Sequence, residues 1–346
     1  MLIWIKEEKR KYYFGELFLV DKEINHLILN RSHIPVMLEE VKLYLNIKEG
    51  HTYVDGTFGA GGHSHMILSS ANCKLFAIDR DPNTQRYAKV IKNKYCNNFK
   101  LMEGQISNLK MLLKNNGIKK IDGGILFDLG ISSMQVDNAN RGFSFNKDGP
   151  LDMRMGLKGQ TAAQIIDESD EKTLSDIIYN YGEEHHSRRI AKAIVNYKKN
   201  KVIKTTLELA EIVRSAIGNK SNNKIDPATK TFQAFRIKVN NELEEIKNAL
   251  NVARDILAPG ARLVVISFHS LEDKIVKTFF KTNSGLNDNP YRHSLDVYKN
   301  KNKKPEFTIL TKKVVKASLE EVKVNFRARS AKLRAVEKIN NFAEAA

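Results

Sequence analysis

The sequence predicts an α/β fold in which a doubly wound, mainly parallel sheet is interrupted by a helical insertion. Short apolar runs alternate with helical patterns at a spacing of about 25 residues through the first part of the chain, which is typical of strand–helix–strand units. The alternation then stops for roughly a hundred residues of helical pattern, and a strand returns at 262–268. These observations place a helical segment between the fourth and fifth strands.

The sheet follows an amphipathic helix that carries Met37, Val41 and Leu45 at helical spacing. The four apolar runs that come next are TYVD (52–55), KLFAID (74–79), NFKLME (98–103) and GGILFD (123–128). The helical patterns that connect them lie near 63–70, 82–94 and 106–115. These segments predict four parallel strands with their crossover helices.

Residues 137–227 are the predicted helical insertion, and 31–136 with 228–346 form the predicted α/β domain. A single long helix is expected to start at Asp226-Pro227 and to stop at Pro259-Gly260. After the returning strand, the strings TILTKKVV and RSAKLRAVEK predict a terminal hairpin. Residues 1–30 are an extension of unknown role.

The charge balance favours an anionic partner. The chain of 346 residues has 57 Lys and Arg against 40 Asp and Glu, a formal net charge of +17, which most simply indicates a nucleic acid. Enrichment in lysine, asparagine and isoleucine, which biased codon usage produces, explains the charge equally well. Two cysteines exclude a disulfide scaffold, and no apolar run approaches the roughly 18 residues of a membrane span, so a cytoplasmic protein is expected.

A glycine-rich turn follows the first strand in VDGTFGAGGHS (54–64). Glycine allows a tight turn and a close approach to a ligand, beside the amides of a helix N-terminus. The spacing does not fit a dinucleotide fingerprint, because Ser64 stands where the third glycine belongs, and it lacks the Gly-Lys-Ser/Thr of a P-loop. The turn therefore predicts a ligand site without a phosphate-binding motif.

Asp79 ends the second strand, where a carboxylate accepts hydrogen bonds from both ribose hydroxyls of an adenosine-type ligand. The alternative is a cap for the helix that starts at Pro82, for which Asp81 is better placed. A ribose-binding acid without a phosphate motif favours S-adenosylmethionine over NAD.

Two further residues stand at strand ends that form the ligand crevice of such a sheet. Asp128 ends the fourth strand, where it either faces the crevice or caps the following turn. His269 ends the returning strand, where a neutral imidazole could accept a proton or be held in the fold by hydrogen bonds. No His, Asp and Glu group has ligand spacing, so no metal is expected.

Longer strings carry a family resemblance. AIDRDP (77–82), DLGISSMQVD (128–137), RGFSFNKDGPLDMRM (141–155), DPATKTFQAFRIKVNNELEEI (226–246), LVVISFHSLEDKIVK (263–277) and RARSAKLR (327–334) follow the glycine turn in this order. Together they resemble the bacterial ribosomal RNA small-subunit methyltransferase H family, also called MraW, from about His33 to Lys338.

The resemblance implies a class I S-adenosylmethionine-dependent methyltransferase fold with an inserted helical domain for RNA recognition. It implies methylation of the exocyclic N4 amine of a decoding-centre cytosine in 16S rRNA, so the expected partner is the small ribosomal subunit. The cofactor contacts of the family fall on Gly61, Gly62, His63, Asp79, Ile106, Asp128 and Gln135. Ile106 stands where the family often has phenylalanine, and Phe326 where it usually has proline.

The cytosine amine is a poor nucleophile, because its lone pair is delocalised into the ring. An oxygen acceptor beside it favours the pyramidal geometry needed for attack. The hypothesis is that Asp128 or a nearby carbonyl, helped by Ser132 or Ser133, is this acceptor, with His269 as a further candidate base.

The candidate RNA contacts are arginines within motifs and an aromatic pair. The arginines are Arg141, Arg154, Arg188, Arg189, Arg236, Arg327, Arg329 and Arg334. Phe143 and Phe145 form the pair, which either stacks an unpaired base or anchors the insertion to the core. The alternatives for the whole protein are a non-catalytic RNA-binding or ribosome-assembly protein, methyl transfer to another nucleic acid, and an NAD-dependent dehydrogenase, which the glycine spacing disfavours.

Overall fold

The computed structural model describes residues 34–218, 226–286 and 304–340, so the predicted extension 1–30 lies outside the described residues. The chain divides into two compact units. Of the described residues, the sheet unit comprises 34–129, 252–269, 276–286 and 304–340. The helical unit comprises 130–218, 226–251 and 270–275.

The sheet unit is built on one mixed sheet. Its strands in the described residues are β1 Thr52–Asp55, β2 Lys74–Asp79, β3 Phe99–Glu103, β4 Gly124–Asp128, β5 Arg262–Ser267, β6 Phe307–Ile309, β7 Val315–Lys316 and β8 Lys332–Lys338. Their order is β3-β2-β1-β4-β5-β8-β6, with β7 also paired to β8. Strands β1 to β5 run parallel, and β8 runs antiparallel to β5, β6 and β7. This confirms the predicted doubly wound sheet and the terminal hairpin.

The helices in the described residues are α1 Leu38–Leu45, α2 Gly62–Ser70, α3 Gln85–Tyr95, α4 Leu109–Lys114, α5 Ser133–Asp137, α6 Ala162–Glu168, α7 Glu171–Gly182, α8 Ser187–Lys198, α9 Thr206–Ile217, α10 Ala228–Asn240, α11 Glu242–Ile256, α12 Ser270–Asn283 and α13 Leu319–Val324. None of these helices combines the length and the apolar character that a membrane crossing requires. Helix α1 lies on β4 and β5 and buries Met37, Val41 and Leu45 completely, as their spacing predicts.

The helical unit has its own core. Helix α7 packs against α8 and α10, and α8 packs against α9. Phe232 and Phe235 of α10 are buried in this core. For that reason 228–251, which we expected in the α/β domain, belongs to the helical unit, and the unit begins at Gly130 rather than near residue 137.

The prediction of one long helix from Pro227 to Leu257 is wrong, because the helix is interrupted at Asn241. This residue has φ 50° and ψ 38°, a left-handed conformation that asparagine tolerates better than most residues. The preceding Asn240 is held by Met155, whose N–H it accepts at 2.8 Å, and by the Met153 carbonyl, to which it donates at 2.7 Å. The Asn-Asn pair, followed by acidic residues at the start of α11, is the sequence signal for this break.

Candidate cofactor and substrate site

Three aspartates end neighbouring strands of the sheet unit. Asp55 of β1 is in register with Ala77 of β2 and with Leu126 of β4. Asp79 and Asp128 therefore lie at the same level, two residues further along the flanking strands. Since adjacent strands are about 4.8 Å apart, their backbones are separated by roughly 10 Å across the end of β1. The crevice expected at the topological switch point thus has an acid on either side.

The glycine turn leaves β1 between these acids. Gly61 has φ +83°, and a Cβ there would lie 2.6 Å from Cδ1 of Ile91. A Cβ on Gly62 would lie 2.6 Å from Cγ of Pro35. Both positions therefore require glycine for packing within the chain. Contact of these glycines with a cofactor stays a prediction.

Asp55 is a buried hydrogen-bonding centre below the turn. Its side chain is fully buried, and it accepts a hydrogen bond from the Ser64 hydroxyl at 2.7 Å and from the Thr57 N–H at 3.2 Å. Burial raises the pKa of Asp55. Sequence reasoning treated Asp55 only as part of the glycine string. Its place at the end of β1, level with the expected crevice, is the signal that could have singled it out.

His63 lies at the start of α2 and links the turn to Asp128. Its Nε2 is 3.0 Å from the Val36 carbonyl oxygen, to which it donates, and its Nδ1 is 3.6 Å from Oδ2 of Asp128. Burial lowers the pKa of His63, and the nearby Asp55 carboxylate opposes that effect. A neutral ring that donates through Nε2 keeps the lone pair on Nδ1, facing Asp128.

Asp79 organises the loops on the other side of β1. Its Oδ2 accepts from the Gly59 N–H at 2.8 Å, and its Oδ1 accepts from the Asp81 N–H at 2.8 Å. Asp81 caps the short helical turn that follows, because its side chain accepts a hydrogen bond from the Asn83 N–H. The helix cap that was the alternative role for Asp79 is therefore supplied by Asp81. Burial raises the pKa of Asp79 to about 6, although both backbone hydrogen bonds act to lower it.

If Asp79 binds the ribose as the sequence predicts, this pKa makes the binding of an adenosyl ligand sensitive to mild acid. The ionised carboxylate is the form that accepts two ribose hydroxyls, and it is lost as the pH falls through about 6. We expect the affinity for S-adenosylhomocysteine, measured by titration calorimetry, to fall about tenfold between about pH 7.5 and about pH 5. Asp79→Asn should bind more weakly at neutral pH and lose this dependence. An equally steep pH dependence in that variant would contradict the assignment.

An apolar edge lies beside the acids. A Cβ on Gly56 would lie 2.5 Å from the Phe127 ring and 3.3 Å from Cγ2 of Ile106, so both side chains lie against the backbone at the end of β1. Ile106 is half-buried and follows the end of β3. It lies against the end of β1, and its predicted role as an apolar wall for the adenine base stays a prediction.

Asp128 is held at the end of β4 by its backbone. Its N–H donates to the Thr57 hydroxyl at 2.7 Å, and its side chain is 23% exposed. The neighbouring strand β5 places Ile266 in register with Asp128, so His269 lies three residues further along and is half-buried. A carboxylate that is partly accessible and fixed through its backbone can act on a group brought into the crevice.

The chain that forms this site matches a known family over nearly its whole length. The MraW methylase family model matches residues 30–339. The chain belongs to this family.

Three curated relatives of this family member carry the name "Ribosomal RNA small subunit methyltransferase H". The protein from Wolbachia pipientis subsp. Culex pipiens is 49% identical over 310 residues, which cover 89% of this chain and 100% of the relative. The protein from Rickettsia massiliae is 50% identical, and the match covers 89% of this chain and 99% of the relative. The protein from Paramagnetospirillum magneticum is 46% identical, and the match covers 88% of this chain and 95% of the relative.

Membership in the MraW family confirms the predicted enzyme class, cofactor and fold class: the protein is a methyltransferase that uses S-adenosylmethionine. The residues present fit that cofactor. Asp79 offers a carboxylate for a ribose, Ile106 and Phe127 offer an apolar edge for a base, and Asp128 offers negative charge for a cationic centre. Carboxylates and apolar groups suit an adenosyl sulfonium, which has no phosphate.

Two predicted site residues of the methyltransferase lie in the helical unit. The Ser132 N–H donates to Oε1 of Gln135 at 3.1 Å at the start of α5. Gln135 is 5% exposed. This capping interaction gives both residues a role in the local fold, and their roles toward substrate and cofactor stay predictions.

Several predicted RNA contacts are occupied in holding the helical unit together. Arg141 donates to the carbonyls of Arg154 and Met155, each at 2.8 Å. Arg154 forms a two-fold contact with Asp152, at 2.8 and 2.7 Å. Arg236 forms another with Glu242, at 2.9 Å for both hydrogen bonds, and its side chain is 14% exposed. These guanidinium groups are engaged within the chain itself, and their predicted contacts with RNA stay predictions.

The aromatic pair belongs to the core. Phe143 is 8% exposed and lies in the cluster of the helical unit. Phe145 packs edge-on against Phe232, with ring centroids 4.8 Å apart. The packing of both rings therefore favours the anchoring alternative, and stacking of a base on them stays a prediction.

Four of the five remaining candidate arginines are exposed. Arg188 and Arg189 are exposed at the start of α8, after the exposed His185 and His186. In the sheet unit, Arg327 and Arg329 are exposed in the turn of 3₁₀ helix Phe326–Ser330. Arg334 is half-buried in β8.

Proposed function

We propose that this methyltransferase methylates the exocyclic N4 amine of a decoding-centre cytosine in the 16S rRNA of the small ribosomal subunit, in the cytoplasm. The observation that carries the proposal is the partly exposed Asp128 carboxylate, level with Asp79 across the end of β1. The names of the relatives and the net charge of +17 support rRNA as the substrate.

The positions of the two cysteines favour an amine over a ring carbon. Methylation at C5 of a pyrimidine commonly uses a cysteine thiolate that adds to C6. Cys73 directly precedes β2 and is buried, and burial raises its pKa to about 11. Cys96 follows α3 and precedes β3. Both therefore lie toward the amino ends of the strands, away from the edge formed by Asp79 and Asp128. A carboxylate acceptor at that edge suits an exocyclic amine.

The chain supplies alignment and a proton acceptor. S-adenosylmethionine, when bound, supplies the methyl group on its sulfonium. The target base must leave its stack to reach the crevice. The Asp128 carboxylate accepts a hydrogen bond from the amine N–H as the amine nitrogen becomes pyramidal. The Nδ1 lone pair of His63, 3.6 Å from Oδ2 of Asp128, is the next acceptor for the released proton after a small shift of either side chain.

Methyl transfer from labelled cofactor to small ribosomal subunits tests the function. We expect label in 16S rRNA, and mass spectrometry of the digested RNA should place the methyl group on N4 of one decoding-region cytidine. Absence of transfer to subunits, free rRNA and DNA alike would support the non-catalytic alternative. Transfer to DNA or to another RNA in preference to subunits would overturn the substrate assignment.

Among the arginines of the helical unit that are predicted to contact RNA, Arg188 and Arg189 are the exposed pair. We expect the double variant Arg188→Ala with Arg189→Ala to bind small-subunit rRNA about tenfold more weakly. The slope of log affinity against log salt concentration should fall by the amount expected for about one to two phosphate contacts. The charge-matched control is Lys89→Ala with Lys92→Ala on the exposed side of α3. Equal losses in both double variants would indicate a general charge effect instead of a contact.

A further inference from the structure

An exposed aromatic ring lies in the sheet unit, outside the crevice. Phe326 is 67% exposed, at the start of the 3₁₀ turn Phe326–Ser330. The guanidinium carbon of Arg329 lies 4.4 Å from the centroid of its ring. A large aromatic side chain at this exposure leaves most of its apolar area in water, which is costly unless a partner covers it.

The backbone around Phe326 fixes the ring on the surface. Asn325, Ala328 and Ala331 are 8%, 0% and 2% exposed, so every third residue of the turn points inward. Asn325 donates through its side chain to the Ile34 carbonyl at 3.0 Å and through its N–H to the Glu321 carbonyl at 2.7 Å. Because a 3₁₀ helix repeats every three residues, this inward row directs Phe326, Arg327 and Arg329 outward together.

The charges around the ring favour an anion. Lys323, Arg327 and Arg329 are exposed within four positions of Phe326. Lys316 of β7 and Lys332 of β8 form a register pair in the same hairpin. The acids of α13 are at its N-terminal end, and one of them, Glu321, accepts the Met37 N–H at 2.7 Å. The C-terminal end of α13 and the following turn are therefore cationic.

We propose that Phe326 and Arg329 form a stacking site for an unpaired nucleobase of RNA, with Arg327 and Lys323 beside the neighbouring phosphates. Arg329 takes one face of the ring through a cation–π contact, and the opposite face receives the base. Aromatic rings flanked by arginine are a common way of holding single-stranded RNA. The proposal rests on the proposed function for the identity of the RNA.

Fluorescence of a single-stranded RNA of about ten nucleotides with a central 2-aminopurine tests the stacking directly. With the full chain and no cofactor, we expect quenching on binding. Phe326→Ala should lose most of the quenching and bind about tenfold more weakly, with an unchanged salt dependence. Phe326→Trp should retain both properties, and Arg327→Ala should reduce affinity together with the salt dependence. Leu319→Ala, which removes a different exposed apolar side chain in the preceding helix α13, is the matched control.

Two results would overturn the proposal. Wild-type affinity and quenching in Phe326→Ala would show that no base stacks on this ring. Wild-type RNA affinity in Phe326→Leu would show an apolar contact without stacking. The extension before Ile34 is the competing occupant, since Ile34 is hydrogen-bonded to Asn325 and the chain has a single tryptophan, Trp4. If the extension covers the ring, Phe326→Ala will shift the Trp4 emission and leave RNA affinity intact.

The binding assay is independent of methyl transfer. Loss of quenching in Phe326→Ala, together with no methylation of subunits by the wild-type chain, would refute the proposed function alone. Methylation of subunits by a Phe326→Ala variant that binds the oligonucleotide normally would refute the stacking site alone.

Discussion

Asp128→Ala is expected to lower kcat for methyl transfer about 10³-fold, within the range for loss of a positioned proton acceptor. The amine nitrogen would lose the oxygen that draws its proton away as it attacks. The change leaves the strand end intact, because the N–H of residue 128 still donates to the Thr57 hydroxyl. Single-turnover transfer from labelled cofactor to small subunits measures the rate, and calorimetry with S-adenosylhomocysteine measures cofactor affinity.

Comparing the two readings separates the possible roles of Asp128. A fall in kcat with less than a tenfold change in cofactor affinity supports the acceptor role. A loss of affinity alone would make Asp128 a cofactor ligand only. Asp128→Asn keeps an acceptor oxygen without the charge and should lie between wild type and alanine. Glu103→Ala, at the exposed end of β3, controls for removing a carboxylate from the same edge of the sheet.

The strands and the crevice acids could be predicted because they follow local rules. Apolar runs of four to six residues with an aspartate at the end define β1, β2 and β4, and the carboxyl ends of parallel strands share one edge. The break at Asn241 was missed because the apolar spacing continues across it, from Val239 to Leu243. That break depends on contacts of Asn240 with residues more than 80 positions earlier in the chain.

The arginines show where sequence reasoning has its limit. A guanidinium group binds carboxylates, carbonyls and phosphates with the same fork, so residue type does not separate an RNA contact from an internal one. The exposed Arg188 and the committed Arg154 are alike in the sequence. The partner of Arg154 is Asp152, two residues earlier, which is a signal that sequence alone offered. For Arg141 the acceptors are backbone carbonyls, which every sequence contains.

Arg236→Met is expected to lower the free energy of unfolding by about 3–5 kcal/mol, because it removes the cation from a buried ion pair. Glu242, its partner, is 5% exposed, and Glu272 is fully buried in the same unit. Oxygen atoms of these two carboxylates lie within 4.8 Å of each other. Without the guanidinium group, the buried Glu242 carboxylate loses the cation that it pairs with, close to a second buried acid, which costs far more than the lost hydrogen bonds.

Urea unfolding followed by circular dichroism measures this loss, and a second variant identifies its cause. Adding Glu242→Gln to Arg236→Met removes one orphaned charge, so the double variant should be more stable than Arg236→Met alone. Arg188→Met, on the surface of α8, should change stability by no more than about 0.5 kcal/mol. If Arg236→Met unfolds like wild type but binds rRNA weakly, the arginine is an RNA contact after all. A joint loss of stability and binding, partly recovered in the double variant, would instead show that RNA recognition depends on the folded helical unit.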